Sequence, residues 1–208
     1  MATTKIKICG ITNTRDALYA EKKGAAVIGF IFAKSPRQIE PIAAAGISKK
    51  LRGATLKAGI FVNEKSEKIN ATVVKVGLTM VQLQGKESIA QVKKVKAKMV
   101  VKGIRVKTSA QVKTDIKKYE KYVDGFVFDG FVKNIYGGTG KKFDWKVLKA
   151  IKIKKPFFLA GGIGPENAVM AVKSCQPWGL DISSGVEKVP GKKDHKKIDA
   201  LFKNIKSV

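Results

Sequence analysis

The sequence predicts an α/β protein in which residues 1–208 form one domain, a single (β/α)8 TIM barrel. Short apolar runs rich in β-branched residues alternate along the whole chain with longer amphipathic segments that carry many lysines. Such alternation is typical of parallel βαβ units. No linker, low-complexity segment or change of composition divides the chain. Eight such units in a chain of this length predict one closed barrel.

The eight apolar runs define the strands of the predicted barrel. They are KIKIC (5–9), AVIGFIF (26–32), LKAGIFV (56–62), TMVQL (79–83), MVVKGIRV (99–106), DGFVFD (124–129), PFFLA (156–160) and GLDIS (179–183). An open doubly wound sheet is the alternative, and it requires a glycine-rich phosphate turn early in the chain. The first strand leads into KICGIT, which lacks the GxGxxG pattern of that turn. The barrel is therefore favoured.

Two of the predicted helices have clear boundary residues. TRDALYAEKKG is expected to begin with Thr14 as its N-cap and to stop at Gly24. SEKINATVVKVG is bounded in the same way by Ser66 and Gly77. Polar caps at the start and glycine at the end are the usual limits of helices.

The net charge is the unusual feature of the composition. The chain has 42 lysines and arginines against 16 acidic residues, which gives a net charge of +26. This excess is compatible with nucleic-acid binding. The lysines are spread over the whole chain, however, and few of the basic residues are arginine, the residue preferred for base and bidentate phosphate contacts. A solvated helical surface is favoured, and a nucleic-acid footprint remains the alternative.

The two cysteines and the single histidine make a structural metal site unfavourable. Cys9 and Cys175 form no CxxC pattern, and His195 is the only histidine. Free thiols indicate a reducing compartment. No apolar run approaches the roughly 18 residues of a membrane span, and the first residues do not resemble a signal peptide. We therefore expect a cytoplasmic protein without metal.

Residues that are able to take part in catalysis or ligand binding follow the predicted strands. They are Cys9, Lys34 to Arg37, Asn63, Gln84, Asp129, Gly161, Gly162 and Ser183 to Gly185. In a barrel the carboxyl ends of all strands meet at one face, where the active site forms. Segments far apart in the sequence are thus expected to converge.

The loops after strands seven and eight predict a phosphate site. LAGGIGPEN (159–167) joins a strand to a helix whose first turn is expected to begin with Pro165 and Glu166. Glycines allow backbone N–H groups to approach a ligand, and a helix N-terminus favours an anion. SSGVE (183–187) adds two hydroxyls and a glycine. The alternative is a pair of ordinary tight turns.

The segment IYGGTGKKFDW (135–145) resembles a Walker loop only superficially. That motif requires GxxxxGK followed by Ser or Thr, and here Ile135 and Lys142 occupy two of the required positions. The nucleoside-triphosphate interpretation fails. The segment is predicted to be a long glycine-hinged loop that orders over a substrate.

Cys9 and Asp129 are the two candidate proton-transfer groups. They end strands one and six, so both face the same mouth of the predicted barrel. Positive charge nearby is expected to favour the thiolate, whereas burial against Phe126 and Phe128 is expected to keep Asp129 protonated. Taken singly, a packed thiol and a turn-capping aspartate are equally good interpretations. Their combination with a phosphate site favours acid–base catalysis.

Several motifs in order along the chain resemble one enzyme family. They are KICGIT (7–12), GFIFAKSPR (29–37), AGIFVN (58–63), VQLQG (81–85), GGTGKKFDW (137–145), LAGGIGPEN (159–167) and LDISSGVEKVPGKKD (180–194). Together they resemble phosphoribosylanthranilate isomerase of tryptophan biosynthesis. The resemblance implies a (β/α)8 barrel that converts N-(5-phosphoribosyl)anthranilate to 1-(2-carboxyphenylamino)-1-deoxyribulose 5-phosphate by an Amadori rearrangement. It also implies that neither a metal nor an organic cofactor takes part.

The resemblance assigns roles by motif. Cys9 is similar to the general base that acts at C2 of the ribose, Asp129 to the general acid that opens the sugar ring, and Arg37 to the arginine that meets the anthranilate carboxylate. Asp181 is expected near the ribose hydroxyls. The residues expected to hold the phosphate are Gly161, Gly162, Ser183, Ser184 and Gly185.

One position departs from the family pattern. The family usually reads QLHG after strand four, and here Gln84 takes the place of the histidine. Glutamine donates and accepts hydrogen bonds but never becomes cationic. We expect Gln84 to line the anthranilate side of the site with weaker substrate binding or a changed pH profile.

Two rival interpretations stay open from the sequence. One is the related sugar isomerase of histidine biosynthesis or a bifunctional version, although that family has an aspartate where this chain has Cys9. The other is a basic nucleic-acid-binding barrel without catalysis. The expected partner is otherwise a small anionic phosphorylated substrate, with no membrane, and the chain is expected to be a monomer or a homodimer.

Overall fold

The chain forms a closed barrel of eight parallel strands, which confirms the predicted fold class. This computed structural model describes residues 4–130 and 145–206. The predicted glycine-hinged loop falls almost entirely outside these residues. The barrel strands are β1 (Lys5–Cys9), β2 (Val27–Ile31), β3 (Leu56–Phe61), β4 (Met80–Leu83), β5 (Met99–Val106), β6 (Gly125–Gly130), β7 (Phe157–Leu159) and β8 (Gly179–Ile182).

Helices follow the strands and form the outer layer of the barrel. They are α1 (Thr14–Lys23), α2 (Pro41–Ser48), α3 (Ser66–Val76), α4 (Ile89–Lys94), α5 (Ser109–Tyr119), α6 (Lys146–Lys149), α7 (Ala168–Cys175) and α8 (His195–Ile205). A 3₁₀ turn, Ser184–Val186, and a two-stranded hairpin separate β8 from α8. The hairpin consists of β9 (Glu187–Val189) and β10 (Lys192–Lys193), and the sequence analysis did not predict it. No helix in the described ranges is long and apolar enough to cross a membrane.

The predicted helix ends are correct, but the predicted starts need correction. Gly24 (φ 98°) and Gly77 (φ 68°) end α1 and α3 in the left-handed conformation that glycine favours. The N-cap of α1 is Asn13 rather than Thr14, because the Asn13 side chain accepts a hydrogen bond from the Asp16 backbone N–H. Ser66 is the first residue of α3 and makes no capping hydrogen bond to the backbone.

Helix α7 also begins later than predicted. Its first residue is Ala168, and Pro165 and Glu166 lie in the preceding turn. Asn167 braces that turn: its side chain accepts a hydrogen bond from Gly164 N (2.9 Å) and donates one to Gly162 O (2.9 Å). The turn after β7 is therefore held by the Asn167 side chain together with the hydrogen bond from the Ala168 N–H to Gly164 O (3.0 Å).

Alternation along the strands divides the core into two layers. One layer lies between strands and helices, and the other fills the barrel interior. Successive side chains of a strand point to opposite faces, so Val127 is in the interior whereas Phe126 and Phe128 pack under the helices. Near the carboxyl ends of the strands the interior contains buried polar side chains, among them Gln82 and Asp181, and the site described next lies there.

Candidate active site

A cavity opens at the carboxyl end of the barrel, where the sequence analysis placed the site. The predicted site residues that line it are Cys9, Arg37, Gln84, Asp129, Gly161, Gly162, Asp181, Ser183 and Ser184. Only Gly185, among the predicted set, is not in the lining. The structure thus brings the predicted catalytic and binding positions to one cavity.

Cys9 ends β1 and is almost fully buried at the cavity wall. The following Gly10 has φ +74°, a conformation that L side chains rarely adopt. A Cβ at Gly10 would lie 2.7 Å from Cδ of Arg37 and 3.0 Å from Oγ of Ser183. Glycine after the thiol is therefore required both by the turn and by the close approach of two other site residues.

The expected thiolate of Cys9 is not favoured in this state of the protein. Burial raises the pKa of the Cys9 thiol to about 11, and the carboxylate of Asp181 adds to the increase. Lys7 and Lys193 act in the opposite direction but do not outweigh the burial. The two lysines lower the pKa of the thiol, as expected. The predicted thiolate is nevertheless wrong, because the effect of desolvation on the pKa is larger.

Asp129 lies at the end of β6, buried, with Oδ1 accepting a hydrogen bond from the Gly130 N–H (2.8 Å). Burial and the nearby Asp181 raise the pKa of Asp129 to about 6. The expected direction of this shift is therefore confirmed, but with a pKa of about 6 most of Asp129 is ionised at neutral pH, contrary to the expectation that it stays protonated. The expected cause of the shift needs correction, since Phe126 and Phe128 face the helix layer on the other side of the strand.

A charged pair that the sequence analysis missed lies below these two groups. Lys7 precedes Cys9 by two residues on the same face of β1 and is fully buried. Its ammonium donates to Asp181 Oδ2 (2.6 Å) and to Gln82 Oε1. Burial lowers the pKa of Lys7, but the attraction of Asp181 outweighs it and the pKa lies above its usual value. Asp181 Oδ1 is buried without a hydrogen-bond partner in the described part of the chain.

The loops after β7 and β8 form one wall of the cavity. Gly161 (φ +89°) and Gly162 (φ +66°) are in the left-handed region, and a Cβ at Gly161 would lie 2.8 Å from Gly130 N. The buried Oγ of Ser183 has no hydrogen-bond partner among residues 4–130 and 145–206. The Ser183 hydroxyl is therefore free to bind a ligand, and the glycines of this wall allow a ligand to come close to the backbone. Gly185 lies outside the lining, in close contact with the Ile163 carbonyl, and its phosphate contact stays a prediction.

Arg37 reaches the cavity wall from the loop after β2 and is buried. Its guanidinium forms a bidentate ion pair with Glu187, with Nε–Oε1 2.9 Å and Nη2–Oε2 2.7 Å. Lys193, also buried, donates to the same carboxylate at 2.8 Å. Sequence reasoning missed Glu187 and Lys193, although the motif GVEKVPGKKD that contains both was part of the resemblance.

Gln84 is buried at the end of β4 and lines the cavity as expected. Its Oε1 accepts a hydrogen bond from Gln82 Nε2 at 2.8 Å. Through Gln82, the position is connected to the Lys7 ammonium. Two neutral amides, Gln82 and Gln84, therefore occupy the side of the cavity where the family usually has a histidine.

Comparison with known proteins places the chain among enzymes of one kind. The family model of N-(5'-phosphoribosyl)anthranilate isomerase matches residues 6–204. The chain belongs to this family. The N-(5'-phosphoribosyl)anthranilate isomerase of Petrotoga mobilis is 39% identical over 204 residues, 98% of each chain. That of Caldanaerobacter subterraneus is 38% identical over 205 residues, again 98% of each chain.

Solved structures of the family agree with the fold. The phosphoribosyl anthranilate isomerase of Thermotoga maritima is 38% identical, with a TM-score of 0.90 over 99% of this chain and 100% of that one. A second isomerase was solved with reduced 1-(o-carboxyphenylamino)-1-deoxyribulose 5-phosphate; it is 34% identical, with a TM-score of 0.85 over 99% and 100% of the two chains. These matches do not favour the histidine-pathway or nucleic-acid interpretation.

Proposed function

We propose that the cavity performs the isomerisation of N-(5'-phosphoribosyl)anthranilate, with Cys9 as general base and Asp129 as general acid. Membership of the family makes the chain an isomerase of tryptophan biosynthesis. The observation that carries the assignment of roles is the meeting of Cys9 and Asp129 in one cavity beside the glycine-rich wall. One group removes a proton from the sugar carbon while the other donates a proton to the ring oxygen.

The substrate is a small phosphorylated anion in this proposal. Gly161, Gly162, Ser183, Ser184 and Gly185 hold its phosphate by backbone N–H groups and hydroxyls. The unpartnered Oγ of Ser183 supports this assignment, because a buried hydroxyl without a partner gains a hydrogen bond when an anion binds.

The remaining site residues bind the sugar and the aromatic ring. Arg37 meets the ring carboxylate, since a guanidinium forms strong charge-assisted hydrogen bonds with it. Asp181 accepts a ribose hydroxyl at Oδ1, the carboxylate oxygen that Lys7 leaves unoccupied. Gln84 contributes a neutral amide on the anthranilate side.

The pKa values of the pair set the condition under which it works. With the Cys9 pKa at about 11 and the Asp129 pKa at about 6, the pair at neutral pH holds one proton, and it resides on sulfur. The assigned roles require that proton on the carboxyl group instead. Both arrangements contain the same number of protons, so their ratio does not change with pH between the two values.

We also propose that residues 1–208 form one domain and that the protein acts in the cytoplasm as a monomer or a homodimer. The family match over residues 6–204 supports one domain. A relative from Thermotoga maritima was solved as monomers generated from a dimeric isomerase, which supports both states as candidates for this chain. Light scattering of the purified chain distinguishes the two states.

Conversion of phosphoribosylanthranilate, followed by the loss of its fluorescence, tests the proposal. We expect the unmodified chain to turn over and Cys9→Ser and Asp129→Asn to lose about 10²- to 10⁴-fold in kcat. Cys175→Ser, at the end of α7, and Asp199→Asn, on the outer face of α8, are matched controls and retain activity. A folded but inactive native chain, or full activity in Cys9→Ser, would contradict the proposal.

A further inference from the structure

A buried ionic cluster beside the cavity joins Arg37 to two residues that the function proposed above does not use. It consists of Arg37 after β2, Glu187 at the start of β9 and Lys193 at the end of β10, and these residues are between 4% and 6% exposed. Buried charges persist only when they are paired, because desolvation is expensive. The cluster holds two cations and one anion, so it places a net positive charge next to the site.

The carboxylate of Glu187 fixes the orientation of the Arg37 guanidinium. Nε of Arg37 lies 2.9 Å from Oε1 and 3.0 Å from Oε2, and Nη2 lies 2.7 Å from Oε2. Burial raises the pKa of Glu187, but the hydrogen bonds and charges of Arg37 and Lys193 outweigh it and keep the pKa below its usual value. Glu187 is therefore a carboxylate throughout the neutral range, and one edge of the guanidinium is occupied. Nη1 makes no hydrogen bond within the described ranges, and Arg37 lines the cavity.

Lys193 joins the same carboxylate to the ends of two barrel strands. Its Nζ donates to Cys9 O (2.6 Å), Ser183 O (3.3 Å) and Glu187 Oε1 (2.8 Å). Its backbone N–H donates to Asp16, which in turn contacts His195. Lys193 thus supports the β1 and β8 ends, whereas Glu187 is the only hydrogen-bond partner of the Arg37 guanidinium in the part of the chain that the structure describes.

We propose that Glu187 is a positioning residue that presents the free edge of Arg37 to the ring carboxylate of the substrate. This inference rests on the proposed function and adds the residue that sets its specificity for a carboxylated ring. A guanidinium anchored at one edge loses little rotational freedom when its other edge binds a carboxylate. Without Glu187, that freedom must be lost on binding, and the ring carboxylate contributes less to affinity.

Two inhibitors that differ only in the ring carboxylate test the proposal. One is reduced 1-(o-carboxyphenylamino)-1-deoxyribulose 5-phosphate, the compound bound in a solved relative. The other is the same compound with an unsubstituted phenyl ring. The ratio of their dissociation constants, measured by calorimetry without turnover, reports what the carboxylate contributes. We expect the native chain to prefer the carboxylated compound by at least about tenfold.

The variants separate positioning from general damage to the site. We expect Glu187→Gln to lose most of the roughly tenfold preference, because an amide cannot accept the full guanidinium fork and points an NH₂ group at a cation. Glu187→Asp, which keeps the charge, should recover part of it. Lys193→Met keeps the Arg37–Glu187 pair and should keep the preference within about threefold. In an Arg37→Met background, Glu187→Gln should change nothing further, since the two residues act as one unit.

Equal weakening of both compounds by Glu187→Gln would overturn the inference, and so would an equal loss of preference in Lys193→Met. Circular dichroism confirms that each variant is folded. The proposed isomerase activity is judged separately on the native chain. An active native chain with an unchanged preference in Glu187→Gln rejects only the role of Glu187, whereas an inactive native chain that still prefers the carboxylated compound rejects only the isomerisation.

Discussion

Two buried carboxylates at the mouth of the barrel, Asp129 and Glu187, have pKa values displaced in opposite directions. Both are less than 10% exposed, so burial raises the pKa of each. Glu187 faces two cations, and they reverse the effect. Asp129 accepts one backbone N–H and lies near the carboxylate of Asp181, so its pKa remains raised at about 6. Burial raises the pKa of both carboxyl groups, and the cationic partners of Glu187 make the difference in direction.

The same comparison explains why we propose different functional roles for the two positions. A carboxyl group whose pKa lies close to neutrality exchanges protons with a substrate. A carboxylate held by an arginine and a lysine instead fixes the geometry of its partners. The following predictions test this contrast, beginning with the largest expected effect.

Glu187→Gln should destabilise the protein by about 3–5 kcal/mol at pH 7, because it leaves Arg37 and Lys193 buried without their shared anion. Urea unfolding followed by circular dichroism measures the loss. The pKa of Glu187 is lowered by folding, so its contribution is present above the ordinary glutamate pKa of about 4.3 and is lost as the pH falls below it. The difference between native chain and variant should therefore shrink in acid. A loss that is the same at pH 7 and at low pH would contradict the assignment of the charge.

Asp129→Asn should have the opposite sign and stabilise the protein at pH 8, by about 2–3 kcal/mol. The pKa of Asp129 is raised by folding, so the folded state resists its ionisation, and native stability falls as the pH rises towards about 6. Asparagine removes that cost. The gain should be much smaller at pH 4, where folded Asp129 is protonated. Thermal unfolding at the two pH values measures the difference, and a destabilised variant at pH 8 would show that the carboxylate is well solvated.

The pH dependence of kcat/KM should report the combined protonation state of Cys9 and Asp129 rather than the titration of either residue alone. Below about pH 6 it should fall about tenfold per pH unit, because thiolate is lost while Asp129 stays protonated. From about pH 6 towards 11 it should be flat, since the gain in thiolate cancels the loss of protonated Asp129. In Asp129→Asn, which has no such acid, the residual activity should instead rise with pH through this range. A flat profile in the variant would exclude Cys9 as the titrating base.

Gln84→His should give the smallest effect. It adds a group that becomes cationic below about pH 6.5 to the anthranilate side of the cavity. We expect KM to fall by less than about tenfold, and only at acidic pH, with kcat nearly unchanged. Gln84→Asn is the neutral control. Unchanged kinetic constants and an unchanged pH profile in Gln84→His would show that this departure from the family pattern has no functional consequence.

Most residues of the candidate site could be predicted from their positions at the ends of the predicted strands. The alternation of strands and helices implies a barrel, and the barrel implies that Cys9, Asp129 and the loops after β7 and β8 share one face. The predicted helix starts were less accurate. Thr14 and Pro165 are also residues that commonly begin helices, and only the hydrogen bonds of Asn13 and Asn167 show where the two helices begin. The hairpin of β9 and β10 had no detectable strand pattern in its short lysine-rich segments.

The sequence by itself determined the fold class, the family and the positions that line the cavity, since each depends on local periodicity or on a contiguous motif. The tertiary structure alone decided the charge pairing. Closure of the barrel places Lys7 in register with Asp181, 174 residues away, and brings Glu187 to Arg37, 150 residues away. The pKa values of Cys9 and Asp129 depend on these pairs and on burial. Electrostatic energies depend on distance in space and on exclusion of water, and neither is encoded in local sequence order.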